Sequence, residues 1–218
     1  MPKIKEKRME ELPKLKNTLV YTEFDKDHPA PKGKWNSEVF TKAQPIVLEL
    51  ACGKGEYSIG LAEIEPQKNY VGIDIKGNRM WVGATEALNR NLDNVRYLRG
   101  FIDHLDQFFG KDEVDEAWIV FSDPYIKKER KRLTAPKFLT TYRKVMKPGA
   151  VIHLKTDSDV LYEYTKEIID QEGMELLEDE PNVHKNRPVH PKLSIITYYE
   201  EMHLEKGKTI KYLSFRLG

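Results

Sequence analysis

The chain has 218 residues, 33% charged and 39% apolar, with a formal net charge of +1. That length suits one domain with a sizeable core, and the near-zero sum excludes a uniformly basic or acidic chain while allowing local clusters. No apolar run reaches membrane-spanning length, Met1 to Lys16 lacks the apolar core of a secretory signal, and the single cysteine, Cys52, excludes an intramolecular disulfide; a cytoplasmic protein is expected.

Residues 1–35 are rich in charge and proline (Pro2, Pro13, Pro29, Pro31) and show little periodicity. They read as a charged, loosely attached arm ahead of a domain spanning 36–218. From Pro45 onward strand and helix signals alternate. An apolar strand at 46–50 precedes a helix near 55–64, and a strand at 70–74 precedes a helix near 78–89. A short strand at 95–98, a helical stretch at 102–109 and a buried strand at 116–121 follow. A helix at 136–145 stops at Lys147-Pro148-Gly149. A strand at 151–155, a helix from about Ser158 to Glu172, and strands near 174–178, 194–200 and 210–216 complete the chain. Alternation of this kind predicts an α/β fold: a doubly wound, mostly parallel sheet with helices on both faces. The last two strands are expected to pair antiparallel through Lys206-Gly207-Lys208. Ligands of such sheets sit beyond the carboxyl ends of the strands.

Leu48-Glu49-Leu50-Ala51-Cys52-Gly53-Lys54-Gly55, followed by Gly72-Ile73-Asp74, carries the most chemistry. Gly53 and Gly55 lack a Cβ, so the backbone can turn tightly and approach a ligand. Asp74 lies 19 residues past Gly55, where a carboxylate can take a ribose diol. A dinucleotide site would have a third glycine where this chain has Ser58, and Glu49 would repel a pyrophosphate. An acid before the turn suits a cationic ligand with a ribose and no phosphate. S-adenosylmethionine, a sulfonium with an α-ammonium, has that chemistry. A plain strand–turn–helix with a surface acid is the alternative. Cys52, inside the turn, reads as a small packing residue.

The second constellation follows Phe121: Ser122-Asp123-Pro124-Tyr125, then Lys127, Lys128, Arg130, Lys131 and Arg132. Pro124 fixes the backbone and holds Asp123 at the strand tip. The cations can neutralise phosphates while Asp123 and Tyr125 address a base; a solvated charged loop is the other reading. Asp157, at the next strand tip, either accepts from a base edge or the cofactor, or caps the following helix. Thr197 to Glu200 reads on periodicity alone as an alternating strand. The histidines show no metal-ligand spacing with cysteine, so no metal is expected. His184 and His190 read as surface residues of a proline-rich loop.

Together and in this order, these stretches resemble the bacterial single-chain tRNA (guanine-N7)-methyltransferase family. The matching segments are Glu49 to Glu56, Gly72 to Lys76, Asp123 to Lys128, Arg132 to Thr134, Leu139 to Gly149, His153 to Asp157 and Thr197 to Glu200, within residues 33–217. The resemblance implies a Rossmann-like methyltransferase that transfers a methyl group from S-adenosylmethionine to N7 of a guanosine in the tRNA variable loop. It implies that Glu49 and Asp74, with Gly53 and Gly55 of the turn, bind the cofactor, and that Phe101 and Asp123 lie beside it. Lys127, Asp157, Thr197, Tyr198, Tyr199 and Glu200 would contact the guanosine; the charge run itself would put Lys127, Lys128, Arg130, Lys131 and Arg132 on phosphates. Phe101 stands where the family usually has Asp, Tyr125 where it usually has Trp, and Asp74 where Glu is commoner. The basic stretch is shorter than usual and Glu129 interrupts it. Guanine N7 carries no proton, so catalysis is expected from positioning and electrostatics, with Asp123 as the catalytic residue. The implied partner is tRNA, with no membrane and no metal, for a monomer or weak homodimer. A methyltransferase for another substrate, or a non-catalytic tRNA-binding protein on the same fold, is the alternative.

Overall fold

The computed structural model describes residues 2–21, 30–185 and 189–218. Among them, eight strands form one sheet in the order β1-β4-β3-β2-β5-β6-β8-β7. Strands β2 (Ile46–Leu50), β3 (Asn69–Asp74), β4 (Val95–Arg99) and β5 (Val114–Val120) are parallel to their neighbours, and β6 (Met146–Thr156) is parallel to β5. The central ones are apolar at successive positions because both of their faces are covered.

The side-chain period of two divides the core. Ile46, Leu48 and Leu50 of β2 join Ala117 and Ile119 of β5 in one cluster, with Phe138, Leu139, Leu161 and Ile168. These last belong to helices α5 (Pro136–Val145) and α6 (Asp159–Gln171). Val47, Trp118 and Val120 face the other way, onto Tyr57, Leu61, Met80 and Ala84. Those lie on α2 (Glu56–Ile64) and α3 (Gly77–Asn89). Apolar residues at helical spacing thus face the sheet, as amphipathic helices require. Pro136 opens α5 at a position where its missing N–H is no loss, and the Ser158 hydroxyl caps α6 by accepting from Leu161 N. A short helix, α4 (Leu105–Phe108), follows a single turn at 102–104.

The chain leaves β2 toward β3 on one side and resumes at β5 on the other. Leu50 pairs with both Ile73 and Ile119. The crevice between β2 and β5 is therefore the topological switch point, where ligands of open α/β sheets bind.

Two expectations need revision. Helix α1 (Pro2–Glu11) and strand β1 (Thr18–Val20) occupy the segment read as a charged arm, and β1 pairs parallel with β4 at the sheet edge. Leu12 and Trp35 are fully buried, and the Trp35 ring stacks on Phe109 at 4.7 Å. Single apolar anchors in a charged background leave no periodic signal. Residues 22–29 of that segment lie outside the described residues. The strand expected at 194–200 is instead a turn at 191–194 followed by helix α7 (Tyr198–Glu205). Thr197 caps it, its hydroxyl accepting from Glu200 N at 3.1 Å. A capping Thr with Glu three residues on is a helix-start signature that overrides alternation. Lys206-Gly207-Lys208 consequently ends α7. Strand β8 (Lys211–Arg216) pairs antiparallel with both β6 and β7 (Glu175–Glu180). The antiparallel C-terminal pair is β7 with β8.

Candidate active site

The glycine turn is built from unusual backbone. Ala51, Gly53 and Gly55 all have positive φ (60°, 56° and 68°). A Cβ on Gly55 would lie 2.3 Å from the Tyr97 ring, so no other residue fits there. Asp74 pins the turn to the end of β3: its Oδ2 accepts from Gly53 N at 2.9 Å and its Oδ1 from Lys76 N at 2.8 Å. Cys52 is buried, as a packing residue should be, and burial pushes its thiol well above the ordinary range.

Glu49 shares the face of Val47, so its side chain runs beneath α2. Its Oε2 accepts from Ser58 N at 2.7 Å and Ser58 Oγ at 2.5 Å. Oε1 accepts nothing among the described residues. Burial raises its pKa from 4.5 to about 8, against the opposing Ser58 hydrogen bonds. The folded carboxyl therefore keeps its proton over a range where the unfolded one has lost it. The stability this confers is full below about pH 4.5 and is lost as the pH rises to about 8. Glu49→Gln is expected to flatten the fall in melting temperature between pH 5 and 8, roughly the window between the two values. Thermal melts of both proteins without cofactor check this; parallel pH profiles would show that Glu49 is ionised in the fold.

The tip of β5 is strained. Phe121 and Tyr125 adopt φ of 48° and 41°, conformations rare for bulky side chains. Between them, Ser122 Oγ is buried without a partner among the described residues. Asp123 is exposed and its carboxylate engages no described group. Phe101, at the tip of β4, is 39% exposed and meets His104 edge-on at 6.3 Å. Lys127, Lys128, Arg130 and Lys131 are exposed, and Lys131 Nζ lies 5.9 Å from the Tyr125 ring.

Arg132 departs from the expected phosphate contact. It is 1% exposed. Its Nε donates to Pro124 O at 2.9 Å and its guanidinium lies 4.3 Å from the Tyr164 ring centroid. It braces the Asp123–Tyr125 turn from behind. Glu200 departs as well. It is fully buried, its Oε2 accepting from Lys155 Nζ at 2.7 Å and its Oε1 lying 2.9 Å from His184 Nε2. No edge of that carboxylate faces a base, and His184 is not a plain surface histidine.

Asp157 does not cap α6, a role Ser158 fills. Its Oδ2 accepts from Lys208 Nζ at 2.5 Å and its Oδ1 lies 3.5 Å from His203 Nε2. The His203 ring stacks on Phe121 at 5.8 Å. Thr197 is spent on capping. Tyr198 is 52% exposed. Its backbone N–H faces the Glu56 carboxylate at 3.3 Å, and Lys54 Nζ lies 4.2 Å from its ring. Tyr199 meets the Arg79 guanidinium at 5.7 Å. Asp74 thus bonds Gly53 directly, Gly55 closes the same turn by donating to Cys52 O at 2.7 Å, and Glu49 is held separately by Ser58 on α2; α7 brings Tyr198 and Tyr199 to this turn. Asp123 and Asp157 follow the neighbouring strands β5 and β6, and Phe101 follows β4, with β3 and β2 between it and β5, all three at the carboxyl ends of the strands. Sequence reasoning missed Lys54, Arg79 and Lys155 as partners. The lysine before Thr156-Asp157 in an otherwise apolar strand was the available signal for the last.

Among the described residues, no group of three or more His, Cys, Asp or Glu residues could hold a metal ion, and no helix is long and apolar enough to cross a membrane.

A mostly parallel sheet with a glycine turn and an acid at adjacent strand tips, at the switch point, is an arrangement the S-adenosylmethionine-dependent methyltransferase fold shares with dinucleotide-binding folds; Glu49 before the turn and Ser58 in place of a third glycine point to the methyltransferases. Solved structures agree at the level of fold. The 16S rRNA methyltransferase KamB superposes with a TM-score of 0.61 at 15% identity, over 80% of this chain and 88% of that one. A SAM-dependent methyltransferase from Aquifex aeolicus superposes with a TM-score of 0.57 at 16% identity, over 100% and 98%. The family described as "Putative methyltransferase" matches residues 43–213. The tRNA (guanine-N(7)-)-methyltransferase of Porphyromonas gingivalis is 50% identical over 86% of this chain and 77% of its own length. That of Bacteroides thetaiotaomicron is 47% identical over 85% and 74%. The chain belongs to the tRNA (guanine-N7)-methyltransferase family.

Proposed function

We propose that this protein transfers a methyl group from S-adenosylmethionine to N7 of a guanosine in the variable loop of tRNA, in the cytoplasm. The observation that carries the reading is the tip of β5, where an Asp123 carboxylate that engages no described group, at the switch point, is followed within eight residues by the exposed cations Lys127, Lys128, Arg130 and Lys131.

The residues present fit the cofactor. The turn offers open backbone at Gly53, where nothing lies within 4 Å of a would-be Cβ. Among the described residues, Glu49 keeps one oxygen without a donor and Ser122 a hydroxyl without a partner. Glu49, Asp74 and the Gly53–Gly55 backbone would hold it, with the Phe101 ring beside it. Bound there, S-adenosylmethionine supplies an electrophilic methyl group on a sulfonium.

Guanine N7 attacks through a lone pair and carries no proton, so no residue need act as a base. The work of the protein is alignment and charge. Methylation makes the base cationic. A carboxylate at Asp123 favours that developing charge and accepts from the N1–H and N2 amino edge of guanine. Asp157, held by Lys208, presents a second carboxylate on the same edge. Lys127, Lys128, Arg130 and Lys131 bind phosphates and orient the tRNA.

Lys127→Ala with Lys128→Ala is expected to weaken tRNA binding and to reduce the slope of log K against log salt by about 1 to 2. Binding titrations across a salt series measure this, and an unchanged slope sinks the phosphate role. The function itself is tested by methyl transfer from labelled cofactor to unmodified tRNA, with nucleoside identification and mapping. 7-Methylguanosine in the variable loop is expected; another methylated nucleoside would overturn the guanine-N7 reading.

A further inference from the structure

Lys155 is fully buried on β6, on the face shared with His153. Its ammonium donates to Leu193 O at 2.8 Å, Ile195 O at 3.1 Å and Glu200 Oε2 at 2.7 Å. Those are the three bonds an ammonium can make, so its hydrogen-bonding capacity is used up. The Tyr57 ring lies 5.3 Å from Nζ, and His184 takes the other oxygen of Glu200. One cation thereby ties three points of residues 193–200 to the central sheet.

A buried Lys–Glu pair is weak as a source of stability, because desolvation offsets most of the attraction; its best-attested use is to fix one geometry among several. The geometry fixed here is that of the start of α7. Tyr198 is set against the glycine turn, under Lys54 and over Glu56, and Tyr199 is set beside Arg79. The two rings meet edge to face at 5.7 Å. With Tyr198 half exposed, they make an aromatic wall flanked by cations at the mouth of the cofactor cleft, the combination that stacks nucleic-acid bases.

We infer that Lys155 is a positioning residue: through Glu200 and the carbonyls of Leu193 and Ile195 it sets Tyr198 and Tyr199 as the stacking wall for the acceptor nucleotide, and Glu200 is its counter-ion and not a base contact. The nature of the acceptor rests on the function proposed above; the latch itself rests on geometry alone.

The test uses the full chain. Lys155→Met is expected to speed amide hydrogen exchange across residues 193–205 by about tenfold or more, since the segment loses its anchor. In the same variant KM for tRNA rises by about tenfold, while kcat at saturating tRNA and the cofactor Kd each stay within about threefold, because only acceptor binding is disturbed. In combination with Tyr199→Ala the effect on KM is less than the product of the two single effects, because both act through the same wall. Glu200→Gln shifts exchange and KM in the same direction. A Glu200→Gln variant with unchanged exchange and kcat down by about a hundredfold at saturating tRNA would make Glu200 a base contact and overturn the inference. So would effects of Lys155→Met and Tyr199→Ala on KM that simply multiply. If Lys155→Met does not fold, Lys155→Met with Glu200→Leu leaves no unpaired buried charge and takes the same measurements. Failure of the wild-type chain to methylate tRNA would overturn the functional reading, while exchange across 193–205 decides the latch separately.

Discussion

Asp123→Ala is expected to slow methyl transfer at saturating tRNA and cofactor by about a hundredfold or more, the scale of losing one preorganised electrostatic group at a reacting centre. The expectation is sharp because Asp123 has no structural work that would confuse the result. It is exposed and its carboxylate engages no described group, so its removal leaves no broken ion pair or hydrogen bond in the fold. The turn that presents it is held by other residues: Pro124, the strained Phe121 and Tyr125, and the Arg132 guanidinium donating to Pro124 O. A melting temperature close to wild type is therefore expected alongside the lost turnover. Single-turnover rates and thermal melts together decide it. Asp123→Asn keeps an acceptor and removes the charge, so a rate between those of wild type and Asp123→Ala would separate the two contributions. A rate for Asp123→Ala within a few-fold of wild type would remove the residue from the reaction.

Much of this site was legible in the sequence because its signals are local. A strand, two glycines and an acid at the next strand end form a short-range pattern. The chain order of β2, β3 and β5 then places the turn beside Asp123 by topology alone. The parts that were not legible depend on contacts far apart in sequence. Nothing in the run Lys127 to Arg132 distinguishes Arg132 from its neighbours. Its burial follows from a carbonyl eight residues back and the ring of Tyr164 on α6. Glu200 looked like a free acid because Lys155, His184 and the carbonyls around them converge on it only after β6 and α7 are packed. The strand read at 194–200 failed for a different reason. Thr197-x-x-Glu200 is itself a helix-start pattern, and the strand propensity of the two tyrosines outweighed it. The N-terminal elements were hidden because one leucine and one tryptophan do the burying that a periodic stripe does elsewhere.

Gly83→Ala should have the second large effect, and it runs against helix propensity. In an exposed helix, alanine in place of glycine stabilises by about 1 kcal/mol. Gly83, however, is buried in the middle of α3 with the glycine turn lying on its backbone. A Cβ there would sit 2.0 Å from Lys54 O and 2.8 Å from Tyr97 Oη. The nearest obstacle is a main-chain carbonyl, which cannot swing aside as a side chain would. Tyr97 cannot yield freely either, since its ring fills the space left by the missing Cβ of Gly55 and its hydroxyl donates to Gly55 O at 3.3 Å. Alanine must therefore push the turn and α3 apart. The expected result is a loss of about 1 to 3 kcal/mol in stability, the usual range for overpacking. Cofactor affinity should fall at least about tenfold, the equivalent of roughly 1.4 kcal/mol, because the Gly53–Gly55 backbone moves off the position that Asp74 now fixes. Gly53→Ala provides the contrast. It has a positive φ, which Gly83 has not, and open space around the would-be Cβ, so it carries backbone strain without a collision. Denaturant melts and calorimetric titration of both variants with cofactor separate the two effects. If Gly83→Ala binds as tightly as wild type, the contact between α3 and the turn does not set the cofactor site, and the geometry must be held by Asp74 alone.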